Sequence, residues 1–377
     1  MLLYNKQYVN MRIALVHDWL TAVGGAEMVL QKLHQMYPDA PIYTLFHDKK
    51  FTDTFLPDSK IYTSSLQRIY KFGRFKKLLL PLIPAVAESF DLREYDVVIS
   101  SSAAYSKGVI TRPNTLHISY CYSPTRQLWD WQSEYRSNAG ILRRIPIAIM
   151  QHYLRLWDRS ASARAEHTIA ISKHVQQRIE KYYRRRADVI YPPVYIPQNL
   201  PVVSDDGYYL IVSRLYSHKN IDIAIRAFNK LGLPLRIVGD GPQYRALKKI
   251  AGPTITFAGN VSSEILWQQY ARCRAFIMPQ EEDFGIAPLE AMACGKPVLA
   301  LARGGALEYV TPGVTGELFE DPVFESLADG VRRLNETLPA YDYARIKTVA
   351  QNYDSKHFEN KFSNYVQEAF QKHHGIH

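Results

Sequence analysis

The stretch Gln280-Glu281-Glu282-Asp283-Phe284-Gly285-Ile286-Ala287-Pro288-Leu289-Glu290-Ala291-Met292-Ala293-Cys294-Gly295-Lys296-Pro297 decides the fold of this chain. The apolar run Ala275-Phe276-Ile277-Met278-Pro279 precedes it and reads as a buried strand. A second run, Pro297-Val298-Leu299-Ala300-Leu301, follows Gly295, the residue type that most readily ends a helix in the left-handed region. The pattern predicts strand, acidic loop, helix, strand. Open α/β sheets bind ligands at the carboxyl ends of their strands, where this loop sits. The helix start adds free N–H groups and a positive dipole end, both suited to phosphate.

Outward from this unit, apolar strands alternate with helix-length segments in two series. The first has strands at 12–16, 42–46, 97–100, 116–121 and 168–171, with helices at about 26–36 and 141–165. The second has strands at 208–212, 235–238, 255–258, 275–278 and 298–301. Repeated βα units imply an α/β chain with parallel sheets covered by helices. Pro192, Pro193, Pro197 and Pro201, then Asp205-Asp206-Gly207, break the pattern between the series. The expected domains are therefore 1–190, a linker 191–206, and 207–355. Segment 356–377 is expected as a C-terminal helix that packs back on the first domain. Two such domains on a hinge would face each other across a cleft.

The composition is that of a soluble globular protein: 377 residues, 47% hydrophobic and 22% charged. The cysteines Cys121, Cys273 and Cys294 show no metal or redox spacing and fit a reducing compartment. Neither an apolar signal core in the first ten residues nor a membrane-length apolar span is visible. A net charge of +10 calls for an anionic partner. Arg68, Lys71, Arg74, Lys76 and Lys77 interleave with aromatics and run into a leucine-rich segment, and Arg184-Arg185-Arg186 forms a second cluster. The first cluster reads either as a solvated basic face or as a surface for anionic lipid headgroups. No nucleic-acid motif accompanies it, so nucleic acid is not an expected partner.

Glu282 in the acidic loop and Glu290 in the helix can face one ligand from two sides. The Glu-x7-Glu spacing alone means little, since Glu317 and Glu325 share it. Arg214 and Lys219 follow the strand at 208–212, and two cations there suit a diphosphate. Gly239-Asp240-Gly241-Pro242 closes the next strand and is either part of the same edge or only a tight turn. In the first half, Gly24-Gly25 follows strand one and would let a ligand approach the backbone. His17 and Asp18 lie in the same loop and could be turn formers.

These residues together resemble family 4 of the retaining glycosyltransferases, which have the GT-B fold of two Rossmann-like domains. The resemblance rests on Arg214 and Lys219, on the 280–297 stretch, and on Val238-Gly239-Asp240-Gly241-Pro242. It extends to His17-Asp18-Trp19-Leu20-Thr21-Ala22-Val23-Gly24-Gly25-Ala26-Glu27, to the 75–102 stretch, and to Tyr120-Cys121-Tyr122-Ser123-Pro124. The pattern is similar to bacterial mannosyltransferases of O-antigen and exopolysaccharide synthesis.

The resemblance implies transfer of a hexose, mannose from GDP-mannose being favoured, to a glycan or lipid-linked acceptor with retained configuration. Arg214 and Lys219 would neutralise the leaving diphosphate, helped by backbone N–H groups at Phe284, Gly285, Ile286 and Ala287. Glu282 would fix the transferred sugar, Glu290 would hold the ribose, and Gly24, Gly25 and Gly239 would approach the donor. No metal and no cofactor are implied. Relatives often carry histidine where this chain has Tyr122, a possible sugar contact, and where it has Ala103 after Ser102. A UDP-sugar donor and a non-catalytic nucleotide-sugar scaffold are the alternatives. The expected location is cytoplasmic, peripheral on the inner face of the cell membrane.

Overall fold

A computed structural model describes residues 11–70, 80–130, 141–201 and 203–375. The basic positions Lys71, Arg74, Lys76 and Lys77 lie outside the described residues. Internal contacts divide the chain into two units, Met1–Tyr191 with Glu359–His377, and Pro192–Phe358.

The first unit is a seven-stranded parallel sheet: β1 (Ile13–Leu20), β2 (Ile42–His47), β3 (Ile61–Thr63), β4 (Val97–Ser102), β5 (Leu116–Cys121), β6 (His167–Ala170) and β7 (Asp188–Val189). Their order is β3-β2-β1-β4-β5-β6-β7. The second is a six-stranded parallel sheet: β8 (Tyr209–Val212), β9 (Leu235–Val238), β10 (Ile255–Gly259), β11 (Ala275–Met278), β12 (Val298–Leu301) and β13 (Gly316–Phe319). Its order is β10-β9-β8-β11-β12-β13. Both sheets are doubly wound, as the resemblance implies. In each, the strand order reverses beside the first strand, between β1 and β4 and between β8 and β11. The switch point opens a crevice at the strands' carboxyl ends.

Continuous apolar runs form the central strands because helices cover both faces. All four residues of β11 and of β12 are buried, as are all six of β4 and of β5. The strands that the periodicity missed, β3, β7 and β13, lie at sheet edges. They are short, and β13 opens with Gly316-Glu317, so no alternation is long enough to read.

Helix Ile141–Ser162 packs one face into the first unit. Met150, Leu154 and Trp157 meet Phe46, Ile83, Tyr105 and Leu128, each large side chain contributing about 1.5–3 kcal/mol by leaving water. Beneath this face lies a buried ion pair, Lys107 Nζ to Asp158 Oδ1 at 2.7 Å, with both side chains at most 2% exposed. Asp158 also accepts from Thr125 Oγ1, Trp129 Nε1 and Tyr183 OH, each at 2.8 Å. Burial holds the Tyr183 phenol well above its usual range, so it remains a donor.

Part of the expected linker is built into the second unit. Val194 N donates to Tyr353 O at 3.0 Å, and Ser355 N donates to Val194 O at 3.1 Å. Helix Ser355–His374 crosses between the groups of contacts, and from Glu359 onward it belongs to the first. There Lys32 pairs with Glu359 at 2.9 Å, Phe362 meets the Tyr120 ring at 5.8 Å, and Tyr365 OH donates to Asp188 Oδ2 at 2.7 Å.

Candidate active site

Loops that leave the carboxyl ends of β8, β9, β11 and β12 carry the candidate residues of the second unit. After β8 the chain makes a tight turn, Ser217–Lys219, and Asn220 at φ +52° starts helix Ile221–Leu231. Asn220 Nδ2 donates to Pro279 O at 3.3 Å, which fixes this turn to the end of β11. Lys219 Nζ then reaches the Glu282 carboxylate and forms an ion pair, its side chain 14% exposed against 26% for Glu282. Gln280 Nε2 donates to the same carboxylate oxygen at 2.9 Å, while its own Oε1 is buried without a partner among the described residues. Arg214 is exposed, its guanidinium carbon 5.7 Å from the centre of the Tyr216 ring. It has no carboxylate partner among the described residues, which leaves its charge available to an anion.

The loops after β8 and β9 touch through backbone. Gly239 has φ +124°, and a Cβ on it would fall 2.1 Å from Ser213 O. That contact explains the glycine which the sequence left as either site or turn. Leu215 N donates to Asp240 O at 2.9 Å and accepts at its carbonyl from Gln243 N at 3.0 Å.

The acidic loop after β11 is braced by the loop after β12. Gly305 N donates to Glu282 O at 2.8 Å, and Tyr309 OH donates to Phe284 O at 2.8 Å. Burial keeps the Tyr309 phenol protonated. Gly285 sits at φ +93°, and a Cβ there would lie 2.5 Å from Tyr309 Oη. This turn aims helix Ile286–Ala293, which has no side-chain cap. The backbone N–H groups of Ile286 and Ala287 have no acceptor among the described residues, so the positive helix end is open. The Phe284 side chain is buried against Tyr309 and Tyr353 and serves the core. Gly295, at φ +78°, ends the helix where the sequence places its cap.

Glu290 lies one turn into this helix and accepts from Tyr270 OH at 2.6 Å. Burial raises its carboxyl above the usual range, opposed by the Tyr270 hydrogen bond. A carboxylate that accepts ligand hydroxyls is lost on protonation, and a raised pKa brings that loss to higher pH. With Glu290 in the ribose-holding role that the resemblance implies, affinity for nucleotide is expected to fall as pH drops through the upper end of the carboxylate range. Glu290→Gln should flatten this dependence, which titration calorimetry across pH 4–7 (roughly the range in which a raised carboxylate titrates) will read.

The remaining predicted residues lie in the first unit. Gly24 precedes helix Gly25–Met36 in extended backbone, φ −153°, that any residue can adopt. Its carbonyl accepts from Met28 N at 3.0 Å, and Gly25 is exposed. Tyr122, expected as a possible sugar contact, is instead buried, its hydroxyl donating to Ala26 O at 3.0 Å. Because that proton goes to a carbonyl, the 2.7 Å contact with Ser101 Oγ places the Ser101 proton on Tyr122. The 2.9 Å contact of His17 Nδ1 with Ser101 Oγ then requires a proton on Nδ1. Tyr122 thus braces the turn at Gly24–Glu27.

Asp18 is more than a turn former. Buried at the end of β1, it accepts from the N–H groups of Ala103, Ala104, Tyr105 and Ser106 at 2.7–2.8 Å. The loop after β4 is folded around this carboxylate, a role no local sequence signal reveals. Gln280, Tyr270, Tyr309 and Gly304-Gly305 were likewise missed, because they act by tertiary contact.

Residues 196–347, within the second unit, match the family model of glycosyl transferases group 1. An alpha-1,3/1,6-mannosyltransferase of Mus musculus is 25% identical over 91% of this chain and 93% of its own length. The second unit thus carries the group 1 glycosyltransferase signature, and the chain as a whole is similar to mannosyltransferases of that group. A GDP-mannose-dependent phosphatidylinositol monomannoside mannosyltransferase of Mycolicibacterium smegmatis is 31% identical, over 34% of this chain and 38% of that protein. Another relative, at 28% identity, aligns over 59% of its length, so several relatives are matched over less than two thirds of themselves. In structure, the chain resembles HepE of Anabaena, solved in complex with UDP. The TM-score is 0.67 at 18% identity, over 95% of this chain and 100% of that one. Such neighbours establish the GT-B fold for this chain.

Proposed function

We propose that this chain transfers a mannosyl residue from GDP-mannose to a hydroxyl of a glycan or lipid-linked acceptor, with retained configuration, in surface polysaccharide synthesis. The observation that carries the reading is the Lys219–Glu282 pair at the switch point of the second sheet, next to the open start of helix Ile286–Ala293. Arg214, Lys219 and the Ile286 and Ala287 N–H groups supply positive charge where a diphosphate would leave. Glu282, held by Lys219 and Gln280, is placed to fix the hydroxyls of the transferred sugar. Glu290 accepts from the ribose. This arrangement meets the leaving charge with protein groups and asks for no metal.

Mannose is favoured because the Mus musculus relative, aligned over nearly its whole length, is a mannosyltransferase and the Mycolicibacterium relative uses GDP-mannose. A UDP-sugar is the second reading, since HepE was solved with UDP. No helix among the described residues is long and apolar enough to cross a membrane. Work on a lipid-linked acceptor would place the enzyme at the inner membrane face as a peripheral protein.

The test is calorimetric titration with GDP, UDP and their hexose conjugates, followed by assay of nucleotide release. GDP-mannose should bind at least about 10-fold tighter than any UDP-sugar and be turned over, since a site that hydrogen-bonds one base leaves its polar groups unpaired with another. Preference for UDP would move the donor reading to the alternative. Binding of both conjugates with no turnover on any acceptor would leave a scaffold.

A further inference from the structure

Helix Ile141–Ser162 has a second face that the core does not use. Ile145, Ile149, Tyr153 and Leu156 follow each other at helical spacing and are 72%, 66%, 49% and 61% exposed. Isolated exposed apolar residues are ordinary, but four in one row on one helix are not. Exposed Arg159 flanks this row, and exposed Arg144 precedes it at the helix's first turn. The helix contains one carboxylate, Asp158, and that one is buried against Lys107. Its outer side is therefore apolar and cationic with no exposed negative charge.

We propose that this face docks on an anionic lipid surface. The apolar row would enter the boundary between headgroups and acyl chains, while the arginines meet lipid phosphates. Charge complementarity selects this occupant. A polyanion such as RNA would engage the arginines and leave the four apolar side chains in water. The Lys107–Asp158 pair ties this helix to the loop after β4, since Lys107 also donates to Ala104 O. The lipid-facing element is thus anchored to the carboxyl edge of the first sheet, where Asp18 organises that same loop. The inference rests on the reading of a lipid-borne acceptor. Nucleotide binding by the same variants reports separately on the donor site.

The test uses the full chain with vesicles of phosphatidylcholine alone or mixed with phosphatidylglycerol, read by flotation. The protein should float with anionic vesicles and release as salt rises. Arg144→Gln with Arg159→Gln should weaken binding about 5-fold per cation removed. Ile149→Glu with Leu156→Glu should weaken it by more than about 10-fold, since both apolar burial and charge attraction are reversed. Both variants should keep the melting temperature and nucleotide affinity, because these side chains point away from the core. Unchanged flotation of both variants would overturn the proposal. So would equal binding to neutral vesicles, or a solution dimer of the parent chain that the glutamate variant dissociates.

Discussion

Lys219→Ala is expected to lower kcat/KM for sugar transfer by about 10²–10³, or about 3–4 kcal/mol of transition-state stabilisation. Two losses combine. The ammonium that would meet the leaving diphosphate disappears, and the Glu282 carboxylate loses its cation while Gln280 alone still holds it. A ground-state contact would raise KM and spare kcat. A group that meets charge developing on the leaving oxygen lowers kcat itself, and the fall should appear there. Lys219→Arg should recover little, because a planar fork cannot take the place of a compact ammonium in this half-buried pair. Steady-state rates with saturating acceptor are the measurement. Activity within about 5-fold of the parent would refute the assignment, because a lost charge contact at the leaving group costs far more.

The largest effect on stability is expected at Asp158→Ala, about 3–5 kcal/mol. The substitution strands Lys107, which is 2% exposed, and removes the acceptor of Thr125, Trp129 and Tyr183. For a unit of this size the loss corresponds to a melting temperature lower by roughly 6–20 °C. Lys107→Met with Asp158→Leu should regain only part of it. The charge problem is then solved, but the buried Thr125 and Tyr183 and the half-buried Trp129 still lack their acceptor. Thermal unfolding followed by circular dichroism separates these outcomes. A shift of under about 2 °C for Asp158→Ala would mean that water replaces the lost partner.

Legibility in the sequence followed the range of the interactions. Strands β11 and β12 and the helix between them were readable because their apolar runs, Gly285 and Gly295 encode the structure locally. Arg214, Lys219 and Glu282 were legible as residue types in loops at strand ends, and Glu290 as a carboxylate in the helix that follows. The wiring of the Tyr122 hydroxyl to Ala26 and Ser101 was not legible, since it depends on residues 96 and 21 positions away.

The sequence by itself determined two series of βα units with parallel sheets and placed the candidate residues near strand ends. Hydrophobic period and glycine placement are local properties, and they suffice for that much. Only the tertiary structure decided that Lys219 closes on Glu282 across 63 positions, that Asp18 gathers the loop after β4, and that Lys107 is neutralised inside the first unit. Those pairings cost desolvation and chain entropy, which only the packed sheet and its helices offset. No window of sequence shorter than the fold contains them.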